Sequence, residues 1–152
     1  MKKILLLLFM LTLLGCKKTV VVKQMHTDFE DNQWMATNIQ NFEFKLKRDV
    51  EAGDINLLFS HVFQPQYSTV PVSVTIENPA GETENILVNL MLKDEDGNDL
   101  SDCSGDICDL SQPVKEDAML KKGTYKITVE NKFAYEYLAN VLAVGVSVER
   151  ED

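Results

Sequence analysis

Histidine is nearly absent from this chain of 152 residues: His26 and His61 are the only two. That leaves too few imidazoles for a histidine-rich metal centre and no His-Glu-x-x-His pattern. A Gly-x-Ser-x-Gly elbow and a phosphate-cradling glycine loop are missing as well, so the common hydrolase and nucleotide-binding signatures are excluded, and no cofactor is expected. Positive charge is also short, with 15 Lys and Arg against 24 Asp and Glu and a net charge of −9. Such a balance argues against nucleic acid and against a broad electrostatic hold on anionic lipid.

What is present begins at the N-terminus. Lys2 and Lys3 precede an unbroken apolar run from Ile4 to Leu11, followed by Thr12, Leu13, Leu14, Gly15 and Cys16. The run is far shorter than the roughly 20 apolar residues that span a bilayer, so it reads as a secretory signal. Leu13-Leu14-Gly15-Cys16 resembles the bacterial lipobox, in which the thiol receives diacylglycerol, the chain is cut before Cys, and the new amino group is acylated. Residues 1–15 are therefore expected as signal peptide, with Cys16 as the lipidation site. Each buried methylene contributes about 0.8 kcal/mol, so two or three acyl chains hold a protein firmly to a bilayer. Lys17, Lys18 and Thr19 follow the cysteine. With no Asp at the second position the outer membrane is favoured, and with no acidic run there the periplasmic face is favoured.

Removing residues 1–15 takes two lysines and leaves 137 residues with 13 basic and 24 acidic side chains, a net charge of −11. That length suits one domain. Residues 16–33, polar apart from Val20 to Val22, read as a lipidated N-terminus and flexible tether, although the three valines are also compatible with a short first strand. Residues 34–152, opening at Trp34, read as a β-sandwich.

Within that region the periodicity is two. Phe42, Phe44 and Leu46 share a face. So do Ile55, Leu57, Phe59 and Phe63; Val70, Val72, Val74 and Ile76; Ile86, Val88, Leu90 and Leu92; Tyr125, Ile127 and Val129; and Leu142, Val144, Val146 and Val148. Turn chemistry separates them at Asn78-Pro79-Ala80-Gly81, Asp94-Glu95-Asp96-Gly97-Asn98 and Lys121-Lys122-Gly123. Six or seven short strands in a chain of this length predict an all-β, antiparallel sandwich of jelly-roll or Ig-like type, because each sheet must bury its apolar face on another. One helical candidate, of a turn or two, covers Phe133 to Asn140. Pro71 cannot donate to a ladder, so its strand is expected at an edge or to begin after it.

Four groups could carry chemistry. Cys103 and Cys108, on a loop with Gly105, read first as a disulfide in an oxidising envelope, with free thiols or a metal as alternatives. The acidic series Asp94, Glu95, Asp96, Asp99, Asp102, Asp106 and Asp109 offers oxygen ligands, with Asp94, Asp96 and Asp99 as calcium candidates. Its spacing departs from the EF-hand rule, and a solvated pair of loops, which needs no ligand, is the favoured reading. Tyr67, Tyr125, Tyr135 and Tyr137, with Phe133 and Trp34, form either a sugar-stacking platform or core packing. A Cys103 or Cys108 thiol with His61 as base would be needed for an enzyme, and nothing in the spacing supports it.

Several of these features, in order, resemble the gliding-motility lipoprotein GldH family of the Bacteroidetes. They are the lipobox, Trp34 with Phe42-Glu43-Phe44, Ile55-Asn56-Leu57, Pro79-Ala80-Gly81, Asp96-Gly97, Gly105-Asp106-Ile107 with Asp109, Gly123-Thr124-Tyr125, and Leu138, Val141 and Val144-Gly145-Val146-Ser147-Val148. The resemblance implies a non-enzymatic envelope lipoprotein of the gliding apparatus and its linked type IX secretion machinery, held to the membrane by lipid and binding protein partners. A glycan-binding envelope lipoprotein is the alternative. His61 stands where the family tends to carry arginine, Tyr67-Ser68-Thr69 replaces a Tyr-Pro-type stretch, and Phe133-Ala134-Tyr135-Glu136-Tyr137 replaces an expected Met-Arg pair. These departures mark a divergent member.

The lipobox makes a direct prediction. Metabolic labelling with an alkyne fatty acid marks the protein, and Cys16→Ser abolishes the label; equal labelling of both chains would contradict it.

Overall fold

The computed structural model describes residues 17–151; the signal peptide and Cys16 lie outside the described residues. The chain runs through eleven strands: β1 Lys18–His26, β2 Gln33–Met35, β3 Gln40–Leu46, β4 Val50–Val62, β5 Thr69–Glu77, β6 Thr83–Met91, β7 Asp102–Ser104, β8 Ile107–Leu120, β9 Gly123–Asn131, β10 Tyr137–Ala139 and β11 Val141–Glu151. All pair antiparallel, in one sheet of order β1-β11-β4-β8-β7, a second of order β3-β9-β5-β6, and a ribbon of β10 with β2. The two sheets face each other across one apolar core, as the alternating pattern requires.

Phe42, Phe44 and Leu46 turn inward from β3, while Asn41, Glu43 and Lys45 stay exposed. Ile55, Leu57 and Phe59 meet them from β4, and Val144, Val146 and Val148 from β11. Leu142 leaves the expected face. A register shift between Val141 and Ala143 puts Val141 into the core in its place, because an extra residue in a bulge reverses the alternation before it.

Three expectations are corrected. Phe133 to Asn140 is not helical: it bends through residues 134–136 and then forms β10, whose Tyr137–Ala139 pairs with Gln33–Met35, burying Leu138 beside Trp34. β5 is an interior strand between β9 and β6, yet its ladder with β9 begins at Val72, so Pro71 lies beyond the point where that ladder would need it. The segment read as a tether is strand β1 from Lys18 onward, hydrogen-bonded along β11 from Glu151 to Val144. Contact with β11 requires Gly145, where a Cβ would lie 2.2 Å from the Met25 sulfur and 2.3 Å from the Gln24 carbonyl oxygen. Polar side chains on an edge strand's outer face hide such a strand in the sequence, because only one face is buried.

The strand β8, with Pro113 and a run of polar residues, went unread for a similar reason. Its alternation is clear only where Cys108 and Leu110 turn inward.

At the start of β1 the Lys18 ammonium donates to the Asp54 carboxylate at 2.6 Å, and the Asp117 amide donates to the same carboxylate at 3.0 Å. Asp54 is buried, and these two donors, the lysine first, hold its pKa below the usual carboxylate value. A carboxylate depressed in the folded state stabilises the fold above its unfolded pKa near 3.9 and loses that contribution as pH falls through the folded value. Asp54→Asn is expected to lower the urea midpoint at neutral pH, with the difference from the parent shrinking below about pH 4. A pH-independent difference would contradict this.

Candidate functional site

The topology sorts the connections by length. At the end where β1 begins, strands are joined by tight turns at 47–49, 78–82 and 121–122. At the other end lie the long connections 27–39, 63–68, 92–101 and 132–140, together with the β7–β8 hairpin tip. Loops carried on a rigid sandwich are where binding residues concentrate. The sequence candidates Asp94 to Asp109, His61, Tyr67 and Phe133 to Tyr137 all gather there.

In the 92–101 loop the Asp94 carboxylate accepts from the Asp96 amide at 2.9 Å, the Asn98 amide at 2.8 Å and the Asn98 side-chain amide at 2.9 Å. Asn98 first, then these amides, hold its pKa below the usual carboxylate range. The carboxylate is thereby committed to its own turn, which Gly97 closes at φ 82°. The calcium candidates Asp94, Asp96 and Asp99 therefore lie in a loop whose central carboxylate is already taken up by its own backbone. Among the described residues no group of three or more His, Cys, Asp or Glu is placed to hold a metal.

Cys103 and Cys108 stand directly opposite each other on β7 and β8 and are joined by a disulfide, with Cα atoms 4.0 Å apart. Gly105, at φ 63°, opens the two-residue turn between them, a position that favours glycine. His61 lies across from Cys108 on β4 and is only 2% exposed. Its Nδ1 lies 2.9 Å from the Val62 carbonyl oxygen, which can only accept, so Nδ1 carries the proton. Nε2 lies within hydrogen-bond distance of the Ser101 hydroxyl, at 2.8 Å. The imidazole therefore ties the 92–101 loop to β4. Although His61 and Cys108 are neighbours, that sulfur is bonded to Cys103 and both residues are buried, so the pair is not arranged as base and nucleophile.

The aromatics divide. Trp34 is buried, its indole N–H donating to the Asn38 carbonyl at 2.7 Å. Tyr125 is buried at the opposite end of the sandwich, stacked on Phe44 at 5.5 Å. Burial pushes its phenol pKa up. Tyr67, Phe133 and Tyr135 instead form a row on the loop end, with centroids 4.5 Å and then 5.4 Å apart, and Tyr135 is 70% exposed. Asn131 holds this loop in place by donating to the Trp34 carbonyl at 2.9 Å and accepting from the Phe133 amide at 2.8 Å.

Sequence reasoning missed the apolar surface of this end. Phe63, whose amide donates to the Asp106 carbonyl at 2.9 Å, is exposed beside the hairpin tip, as are Ile107 and, on the acidic loop, Leu100. Alternation alone places Phe63 on the inward face; the strand ends one residue before it, which frees the ring from that face. A cleft of about 450 Å³ opens at the tight-turn end over Ile76, Leu120 and Tyr125, lined also by the Lys115–Glu84 ion pair at 2.5 Å.

Residues 21–148 match the family described as GldH lipoprotein. No curated protein matches the chain. Among solved structures, the chain is similar to the exo-β-1,3-galactanase of Phanerochaete chrysosporium, with 11% identity and a TM-score of 0.39 over 84% of this chain and 30% of that one. It is also similar to dimeric latent PorU of Porphyromonas gingivalis, with 10% identity and a TM-score of 0.36 over 85% of this chain and 12% of that one. The chain thus spans under a third of the length of either structure.

The hairpin bridge closes a very short loop, so loop-closure entropy gives it only about 2 kcal/mol. Cys103→Ser with Cys108→Ser is expected to lower unfolding free energy by that order while leaving the sandwich folded. Two free thiols alkylated in the native, unreduced protein would contradict the bridge.

Proposed function

The chain belongs to the GldH lipoprotein family, and from that premise we propose that it acts at the outer membrane, on its periplasmic face, as a binding component of the gliding apparatus and the type IX secretion machinery linked to it. Membership makes it a gliding-motility-associated lipoprotein anchored in the cell envelope. The finer reading is that it works by holding protein partners and turns over no substrate.

One observation carries this reading: exposed Phe63, Leu100 and Ile107 sit among carboxylates on the loop end, opposite the end where the lipidated terminus joins the fold. Apolar side chains inside a polar rim are the anatomy of a protein-binding patch. Confinement to one membrane raises the effective concentration of any neighbour, so a modest interface suffices. The row of Tyr67, Phe133 and Tyr135, in which Tyr135 is exposed and the other two are half-buried against the core, supports a second reading, in which the same end stacks on a glycan.

Deleting the gene is expected to impair gliding or the secretion of surface proteins. Complementation with Phe63→Glu together with Ile107→Glu is expected to reproduce the defect at normal protein level, since losing central interface residues weakens binding by about tenfold or more. Asp96→Asn is expected to leave function intact. Full activity of the Phe63/Ile107 variant would contradict the protein-binding reading, and loss of glycan-array binding on Tyr135→Ala would favour the second.

A further inference from the structure

We propose that the first half of β1 is a lipid-contacting surface, with Val20 and Val21 resting in the interfacial layer of the bilayer beside acylated Cys16. The inference rests on the lipid anchor of the proposed function.

Only Lys17 separates Cys16 from the first residue of β1. A fully extended chain advances about 3.5 Å per residue, so the Cα atoms of Cys16 and Lys18 can lie at most about 7 Å apart. The polar layer on each side of a bilayer is of similar thickness, about 5–8 Å. The chain is therefore already part of the sheet before it can leave the head groups. Pairing with β11 on one side and the Lys18–Asp54 ion pair, which reaches to β4, leave the strand no slack. What the acyl chains hold is the sandwich itself.

The surface that this places at the membrane is unusual in the fold. Val20 pairs with Glu149 and Val22 with Val148, so Val21 is the extra residue of a bulge. A bulge re-aims side chains at a sheet edge. Here Val20 is 53% exposed and Val21 41%, while Val22 packs on the core. Two adjacent apolar side chains are thus left outside the fold within five residues of the lipid attachment, flanked by Lys17 and Lys18 at the level of phosphates.

Charge favours the same attitude. Seven carboxylates lie between Asp94 and Asp109, at the far end of the strands. An anionic leaflet repels that end, while Glu149 and Glu151 on β11 stay beside the cationic start of β1. The sandwich is then inclined at a fixed attitude, with the β1 edge along the bilayer and the loop end raised away from it, where partners can reach it.

The test uses the full-length protein purified from membranes, with acylation of Cys16 confirmed by mass, in vesicles of phosphatidylethanolamine and phosphatidylglycerol that carry nitroxide-labelled lipid. A bimane probe on Val21→Cys is expected to be quenched severalfold more than one on Tyr135→Cys. A flexible Gly-Ser insertion between Lys17 and Lys18 should reduce quenching at Val21 to the level at Tyr135. Equal quenching at the two positions in the parent, or undiminished quenching after the insertion, overturns the mounted surface while leaving the anchor intact. A mass showing no acyl group at Cys16 overturns both this surface and the anchor on which the proposed function depends.

Discussion

The closure of β1 on β11 across Gly145 is the contact on which the rest of the arrangement depends. It converts residues 18–26 from a leash into a structural edge, and it does so through steric need: no side chain larger than hydrogen fits between Gly145 and the Met25 and Gln24 positions. With β1 in place, Val22 packs on the core and His26 stacks on Phe42 at 4.4 Å, its Nδ1 pairing with Gln40 at 2.8 Å. The sandwich consequently has a defined direction, with tight turns near the start of β1 and long connections at the other end.

Polar groups inside the fold serve that direction. His61, Ser101 and the Cys103–Cys108 bridge order loops that apolar packing alone would leave free, because they lie past the ends of the paired strands. Asp94 does the same within its own turn. Much of what looks like a reactive inventory is therefore spent on holding the loop end rigid, and a rigid presentation lowers the entropic cost of binding. The exposed residues Phe63, Leu100, Ile107 and Tyr135 are what remain available to a partner.

Strands with alternating apolar residues were legible: β3, β4, β5, β6, β9 and β11 all send such residues into the core, although β4 and β11 are buried along most of their length. Short strands and strands rich in polar residues were not. β1, β2, β7 and β10 owe their extended form to hydrogen bonds from distant segments, such as Tyr137 to Met35, and no local pattern encodes a partner a hundred residues away. The helical reading of Phe133 to Asn140 failed for the same reason, since pairing with β2 outweighs local propensity. The aromatic residues were identified as a set, but the division into core and surface depended on which strand each one occupied.

By itself, then, the sequence determined the all-β class, six of the described strands, the turns at Gly81, Gly97 and Gly123, and the GldH resemblance, because each is written in local composition, spacing or order. Tertiary structure alone decided that residues 18–26 are strand, that His61 faces Cys108 and binds Ser101, that Asp94 serves its own turn, and that Phe63 and Ile107 surface together. Those outcomes depend on cross-strand register, which joins residues far apart in the chain and is set by how whole sheets pack.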